Sequence, residues 1–317
     1  MHFVTGLLFS YYFIFTVNVG LSLEIWIAFT LLAAFMQAVR TAGQKKLSVH
    51  LNAMATTGVR YVYALPFAFI YLMLLLEYRH QPFPELNPQF LQYALIACVM
   101  QIIGTACLVA AFKYRNFAVA TSLAKTEAIQ VAIVGALVFS VSMSFLGWLS
   151  VIIGVVGVII LSRVKFTVKD LLQNPGAGFG LASGLALAIT TLLIRESSLA
   201  LNIDLMVSAA VTLVFMITVQ SIISVVYVWL QDKKQLKLML THWRLCLFVG
   251  ITSVLGSIGW FTGASYQNAA YVKALGQVEF FITLFLTYRI FKEKITPMEY
   301  LGMALVVASV VILLLWA

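Results

Sequence analysis

Charge is what this sequence has least of: 20 lysines and arginines and 11 aspartates and glutamates among 317 residues, 10% in all. A soluble domain of this length carries about 25% charged residues, because a wetted surface must cover its core. This chain cannot make that cover. Its mean hydropathy of +1.02 requires the apolar majority to face a solvent other than water, and a bilayer fits. Proline is also scarce, at 6, and the apolar runs lack the alternation over about 10 residues that a membrane β-barrel needs. Hydrocarbon offers no partner for backbone N–H and C=O groups, so helices are what remain.

Reactive side chains are few. The three cysteines, Cys98, Cys107 and Cys246, lie inside apolar runs, where they read as small core residues rather than as a disulfide framework or a metal site. His2, His50, His80 and His242 are scattered over connections with no triad-like or metal spacing. Gly176-Ala-Gly178-Phe-Gly180 has no strand before it and no Gly-Lys-Ser/Thr after it, so it is not a phosphate loop and an ATP-driven pump subunit is not expected. The expectation is a protein that is not an enzyme and holds no cofactor or metal. The formal net charge of +9 would suggest nucleic acid in a soluble protein. Here the basic residues sit in short connections, where topology and anionic headgroups account for them, so no nucleic-acid partner is expected.

What the chain has in quantity is spans. Taking about 20 apolar residues per crossing, ten candidates follow: about 22–42, 53–76, 90–112, 117–139, 144–162, 176–195, 205–230, 243–264, 268–291 and 295–316. Residues 1–21 are a hydrophobic extension without a basic n-region. They read as an eleventh helix, a signal-like extension or an upstream stretch, with the functional fold starting near Leu21.

The halves repeat. One shift of 152 residues, from Tyr114 to Tyr266, also carries Asn116, Leu123, Glu127 and Phe139 onto Asn268, Leu275, Glu279 and Phe291, and Gly104 onto Gly256. Apolar chains match leucines and valines by chance, but not Tyr, Asn and Glu within one short window. The organisation expected is therefore a first five-helix repeat at 22–162, a connecting loop at 163–175 and a second repeat at 176–317. An odd number of helices per repeat makes the second cross in the opposite sense, the inverted architecture of many secondary transporters, with the site near the midplane between repeats.

Leu123-Ala-Lys-Thr-Glu127 and Leu275-Gly-Gln-Val-Glu279, followed by Glu293-Lys-Ile-Thr296 and Gly302, resemble the drug/metabolite transporter superfamily, in its EamA-like branch. The resemblance runs from about Leu21 to the end of the chain. It implies ten spans in two repeats, an integral multi-pass protein of a bacterial inner membrane, and export of a small polar or amphipathic metabolite. Ala128 and Phe280 stand where the family usually has proline, and Val141 where it has the first loop glutamate. The missing prolines put kinks in the fourth and ninth spans in doubt.

Basic residues set the orientation. Fourteen lie in connections after odd-numbered spans, among them Lys45, Lys46, Lys233, Lys234 and Lys237, against Arg79 and Arg195 after even-numbered ones. The charge count places the odd-numbered connections in the cytoplasm and the C-terminus outside, whereas the resemblance implies both termini inside.

Ionisable groups within spans are costly, at least about 2.5 kcal/mol each, so each needs a partner, water or a function. Glu127 lies about 15 Å into the fourth span, and Glu279 enters to a similar depth from the other side. Such a pair suits proton or cation coupling, or alternatively tethers helices by hydrogen bonds. Lys125 matches Gln277 under the shift, and Lys273 matches Thr121; 121/125 and 273/277 are i,i+4 pairs. Each repeat thus offers one lysine on a corresponding face, which favours an anionic substrate group unless both snorkel to the interface. On a continuous helix Glu127 is rotated about 200° from Lys125, so only one of the two is expected to face the cavity. Arg60 is a further candidate, and Arg40 reads as an interface marker. Gln37, Gln101, Tyr63, Trp260, Tyr266 and Tyr271 are weaker candidates for a mixed amide and aromatic lining. Gly154-Val-Val-Gly157 and Gly256-Ser-Ile-Gly259 allow close helix approach.

The function expected is secondary transport, by proton coupling or exchange, of a small polar or amphipathic metabolite. The alternatives are exchange of an anionic sugar phosphate or nucleotide sugar, a passive channel or facilitator, and a lipid-handling scaffold. The partners expected are the solute, the bilayer and protons.

Overall fold

The computed structural model describes residues 25–44, 46–111, 123–161, 175–282 and 296–316. The N-terminal extension, Tyr114 and Asn116, the loop around 163–174 and most of the Glu293–Thr296 element lie outside these residues. Among the described residues every regular element is helical. In chain order they are α1 (Ile25–Gln44), α2 (Ala53–Val62), α3 (Leu65–Arg79), α4 (Pro88–Ala111), α5 (Glu127–Val138) and α6 (Phe145–Leu161). There follow α7 (Pro175–Ala200), α8 (Leu205–Gln231), α9 (Lys233–Thr241), α10 (Trp243–Tyr266), α11 (Ala269–Gly276) and α12 (Pro297–Trp316). Among the described residues six segments are long and apolar enough to cross a membrane: α1, α2 with α3, and the apolar parts of α4, α7, α8 and α10. Shorter apolar helices include α5 and α6.

Side-chain caps start these helices where the sequence supplies them. Asn52 accepts from Ala55 N–H at 2.8 Å at the start of α2, and Asp204 accepts from Met206 and Val207 N–H at 3.0 and 3.1 Å at the start of α8. The shift of 152 that relates the halves carries Asn52 onto Asp204. One cap position is thus filled twice, each time satisfying N–H groups that the helix cannot. The polar stretch after α8 forms the extra helix α9, capped by Asp232 through Lys234 N–H. It is pinned inward by buried Met239, whose carbonyl accepts from the Tyr63 hydroxyl at 3.0 Å.

Packing between the halves repeats as well. α6 lies along α12, α2 and α3 against α8, and α5 against α11. In the α6–α12 seam the Ser309 hydroxyl donates to the Ser150 carbonyl at 2.7 Å. Exchanging the halves by the same shift turns Ser150 into Gly302 and Ser309 into Gly157, and these two glycines also meet. A Cβ at Gly157 would lie 2.9 Å from the Gly302 carbonyl oxygen, and one at Gly302 would lie 2.8 Å from that of Gly157. Small residues let the backbones touch where lipid offers no hydrophobic driving force between helices. α1 and α10 run antiparallel in similar contact: Gly263 beside Thr30, Gly259 beside Ala33, and Gly43 beside Phe248 and Val249. Gly178, by contrast, faces open space, so the 176–180 glycine run does not act throughout as a packing surface.

Two expectations need correction. Arg195 is not a loop residue but lies within α7, where its guanidinium donates to the carbonyls of Ala264 at 2.8 Å and Gln267 at 2.6 Å and caps the end of α10. Arg40 is not an interface marker: it is 8% exposed, enclosed because α1 continues past it to Gln44.

A branched side chain at Gly157 cannot fit against backbone. Gly157→Val is expected to lower stability by about 1–3 kcal/mol through overpacking, whereas Gly178→Ala, with open space for its Cβ, keeps it or raises it by up to about 1 kcal/mol. Thermal unfolding of the two purified variants in detergent checks both.

Candidate functional site

The helices that carry the two glutamates are interrupted just before them. Residues 125–126 form a turn, with Thr126 N–H bonded to the Leu123 carbonyl at 3.0 Å, and α5 restarts at Glu127. Residues 277–278 form the matching turn after α11. There Gln277 and Val278 N–H bond to the Ala274 and Leu275 carbonyls at 3.2 and 3.1 Å, and helix resumes at Glu279. These i→i−3 bonds tighten the chain to a 3₁₀-like turn. The interruption needs no proline, so the missing prolines at 128 and 280 do not remove it. It also overturns the expectation that lysine and glutamate occupy opposed faces. Across a tightened turn the regular 100° step no longer relates residue 125 to 127, and both side chains line the same cavity.

That cavity holds about 50 Å³, room for one or two waters at about 30 Å³ each. Its charged groups pair crosswise between the repeats. Lys273 Nζ of the second repeat lies 2.7 Å from Glu127 Oε1 of the first, and Lys125 Nζ of the first lies 3.7 Å from Glu279 Oε2 of the second. Each carboxylate also takes a bond from the opening helix of the opposite repeat. Thr191 on α7 shares its hydroxyl proton between the Leu187 carbonyl at 3.0 Å and Glu127 at 3.3 Å, and Gln37 on α1 donates to Glu279 at 2.6 Å. The Gln37 amide oxygen in turn accepts from the Trp260 indole at 2.9 Å. The ring of Trp260 lies against Gly276, where any Cβ would collide with it. Lys273 Nζ sits 4.5 Å from the Trp260 ring centre and Lys125 Nζ 5.1 Å from that of Phe280, so each ammonium has a carboxylate and an aromatic face. Neither lysine needs to snorkel.

The two pairs differ. The Lys273 and Glu127 side chains are 19% and 17% exposed, and their contact is a short charge-assisted bond. Lys125 is 38% exposed and its contact is longer, so screening weakens it. Two ammoniums and two carboxylates sum to zero, and lysines neutralised in this way no longer argue by themselves for an anionic solute. Gln277 lines the same cavity with both amide atoms buried and without partners. It is held where a Cβ on Gly154 would strike it, beside Ser309.

Of the residues singled out from sequence, Glu127, Glu279, Lys125, Lys273, Gln277, Gln37 and Trp260 are together here. Five lie elsewhere. Tyr63 bonds to α9 and packs on Gly250; the Gln101 amide oxygen accepts from Gln220 between α4 and α8. Tyr271 packs its hydroxyl against Gly147, Tyr266 ends α10, and Arg60 sits in the last turn of α2. Their amide, aromatic or charged side chains within spans singled them out, and such chemistry does not say which neighbour a side chain meets. Sequence reasoning missed Thr191, whose single hydroxyl in an apolar helix carries no signal of a distant carboxylate.

A family model described as the EamA-like transporter family matches residues 24–163 and again 174–315. A solved structure described only as "Crystal structure of protein" is similar over 93% of this chain and 99% of its own, with a TM-score of 0.71 and 12% identity. At that identity the likeness shows the fold alone. No curated protein matches the chain.

Gln37 serves two partners at once. Gln37→Leu leaves the Glu279 carboxylate and the Trp260 indole short of a bond and is expected to destabilise by about 1–3 kcal/mol. Thr41→Val, an exposed change one turn along α1, is expected to stay within about 0.5 kcal/mol. Denaturation of both variants in one detergent makes the comparison.

Proposed function

The chain belongs to the EamA-like transporter family, and on that premise we propose that it is a secondary transporter of a small polar or amphipathic metabolite, driven by proton coupling or exchange, and an exporter. The observation that carries this reading is the crossed pairing of Lys273 with Glu127 and of Lys125 with Glu279 at the helix interruptions. A carrier must move one repeat against the other around a fixed site, and every such movement strains bonds that run from one repeat to the other. Protonating either glutamate cancels one ion pair and frees its lysine. Proton binding and repeat movement thereby share the same bonds.

The two family repeats accord with this reading, as do the duplicated interruptions. The cavity of about 50 Å³ lies between the two repeats, where a carrier of this architecture holds its site. The bias of basic residues supports odd-numbered connections in the cytoplasm, and the family supports an inner-membrane location.

Glu127→Gln and Glu279→Gln each keep the side-chain shape and remove the titration. Reconstituted in vesicles, each is expected to lower proton-linked solute flux about tenfold, the loss of one charge-assisted bond of about 1.5 kcal/mol, while the protein remains folded. Wild-type flux with unchanged pH dependence in both variants would defeat the proposal.

A further inference from the structure

We propose that Arg40 and Arg60 form an anion-binding subsite beside the central cavity, taking a phosphate or carboxylate group. The subsite lies outside the crossed pairs. Arg40 is 8% exposed in α1, one turn beyond Gln37, and its Nε is buried without an acceptor. Arg60, in the last turn of α2, likewise has a buried Nε without an acceptor, and the neighbouring Tyr61 hydroxyl is buried and unpartnered. The two guanidiniums interact electrostatically with each other, and Arg40 also with Glu279. No described carboxylate stands within ion-pair distance of either arginine, and Glu279, which acts on Arg40 only at longer range, bonds Gln37 and pairs with Lys125.

The two guanidiniums repel one another, and the stacking of Arg60 5.1 Å from the Tyr61 ring centre offsets only part of the cost of leaving them without an anion. A group with two or more acceptor oxygens removes both penalties, and the planar fork of arginine fits phosphate and carboxylate bidentately. The α1–α10 register, set by Gly256 beside Gln37 and Gly43 beside Val249, brings Ser253 level with Arg40. The Ser253 hydroxyl is buried and unpartnered, a further donor for the same oxygens. The arginines thus supply the anion recognition that the lysines, each neutralised by a glutamate, do not. As a substrate subsite this assignment rests on the transport reading; as a binding site it stands apart from it.

The test is binding, without any gradient. The full chain in neutral detergent is titrated with sodium phosphate against sodium chloride at matched ionic strength, and separately with phosphatidylglycerol against phosphatidylcholine, while thermal unfolding is followed. Phosphate is expected to raise the midpoint, with apparent affinity falling about tenfold or more in Arg40→Gln and in Arg60→Gln and partly restored by Arg40→Lys. Stabilisation by phosphatidylglycerol alone, lost in the same variants, would support the same anion site and identify a lipid headgroup as its source. Removing an unpaired charge leaves the anion-free midpoint of Arg40→Gln level or higher, whereas a structural arginine would lower it. Absence of any anion effect, or an effect kept in both glutamine variants, overturns the proposal. If Arg40→Gln does not fold, the Arg40 proposal fails on that ground, and the Arg60→Gln titration decides whether any anion site remains. Flux that fails while anion binding persists would count against transport and not against the subsite.

Discussion

A charge among membrane helices needs an opposite charge, water or a function, and the two lysines at the centre of this chain find opposite charges across the duplication. Lys273 and Lys125 each lie close in sequence to the glutamate of their own repeat, yet each pairs with the glutamate of the other repeat. The rest of the central architecture serves that exchange. The tightened turns at 125–126 and 277–278 bring lysine and glutamate to one cavity. The first helix of each repeat reaches over to hold the other repeat's carboxylate, through Thr191 and Gln37. The seams on either side are closed by glycine and serine, so that backbones touch and the charged centre is held at close range.

Because each ammonium faces a carboxylate, pairing offsets part of the cost of taking these four charges out of water, and any change of protonation breaks the balance. The looser, more exposed Lys125–Glu279 pair is the one that opens more readily, since a longer contact in a wetter place holds less energy. The tighter pair, flanked by Trp260, acts as the more persistent tie. The duplication is therefore close in layout and unequal in strength, an asymmetry well suited to a cycle with two different ends.

Much of this is legible in the sequence. Scarce charge and long apolar runs imply membrane helices, and the shift of 152 residues by itself aligns Glu127 with Glu279. The same shift carries Asn52 onto Asp204 and Ser150 onto Gly302, and each pair fills equivalent places in the fold. What cannot be read is the local backbone. A regular helical wheel separates Lys125 from Glu127, and nothing in Lys-Thr-Glu announces the turn that reunites them. Nor can sequence tell an enclosed arginine from one at the interface: Arg40 stands near the end of an apolar run, and only the continuation of α1 and the approach of α10 enclose it. Thr191, Tyr63 and Gln101 show the same limit, because a helical face marks what points inward and not which neighbour it meets.

The central claim is that the ion pairs run between repeats and not within them. Double-mutant cycles on unfolding free energy, with lysine replaced by methionine and glutamate by glutamine, test it directly. Coupling of about 0.5–3 kcal/mol is expected for Lys273 with Glu127, a smaller value for Lys125 with Glu279, and values near zero for Lys125 with Glu127 and Lys273 with Glu279. Coupling concentrated in the two within-repeat pairs would contradict it.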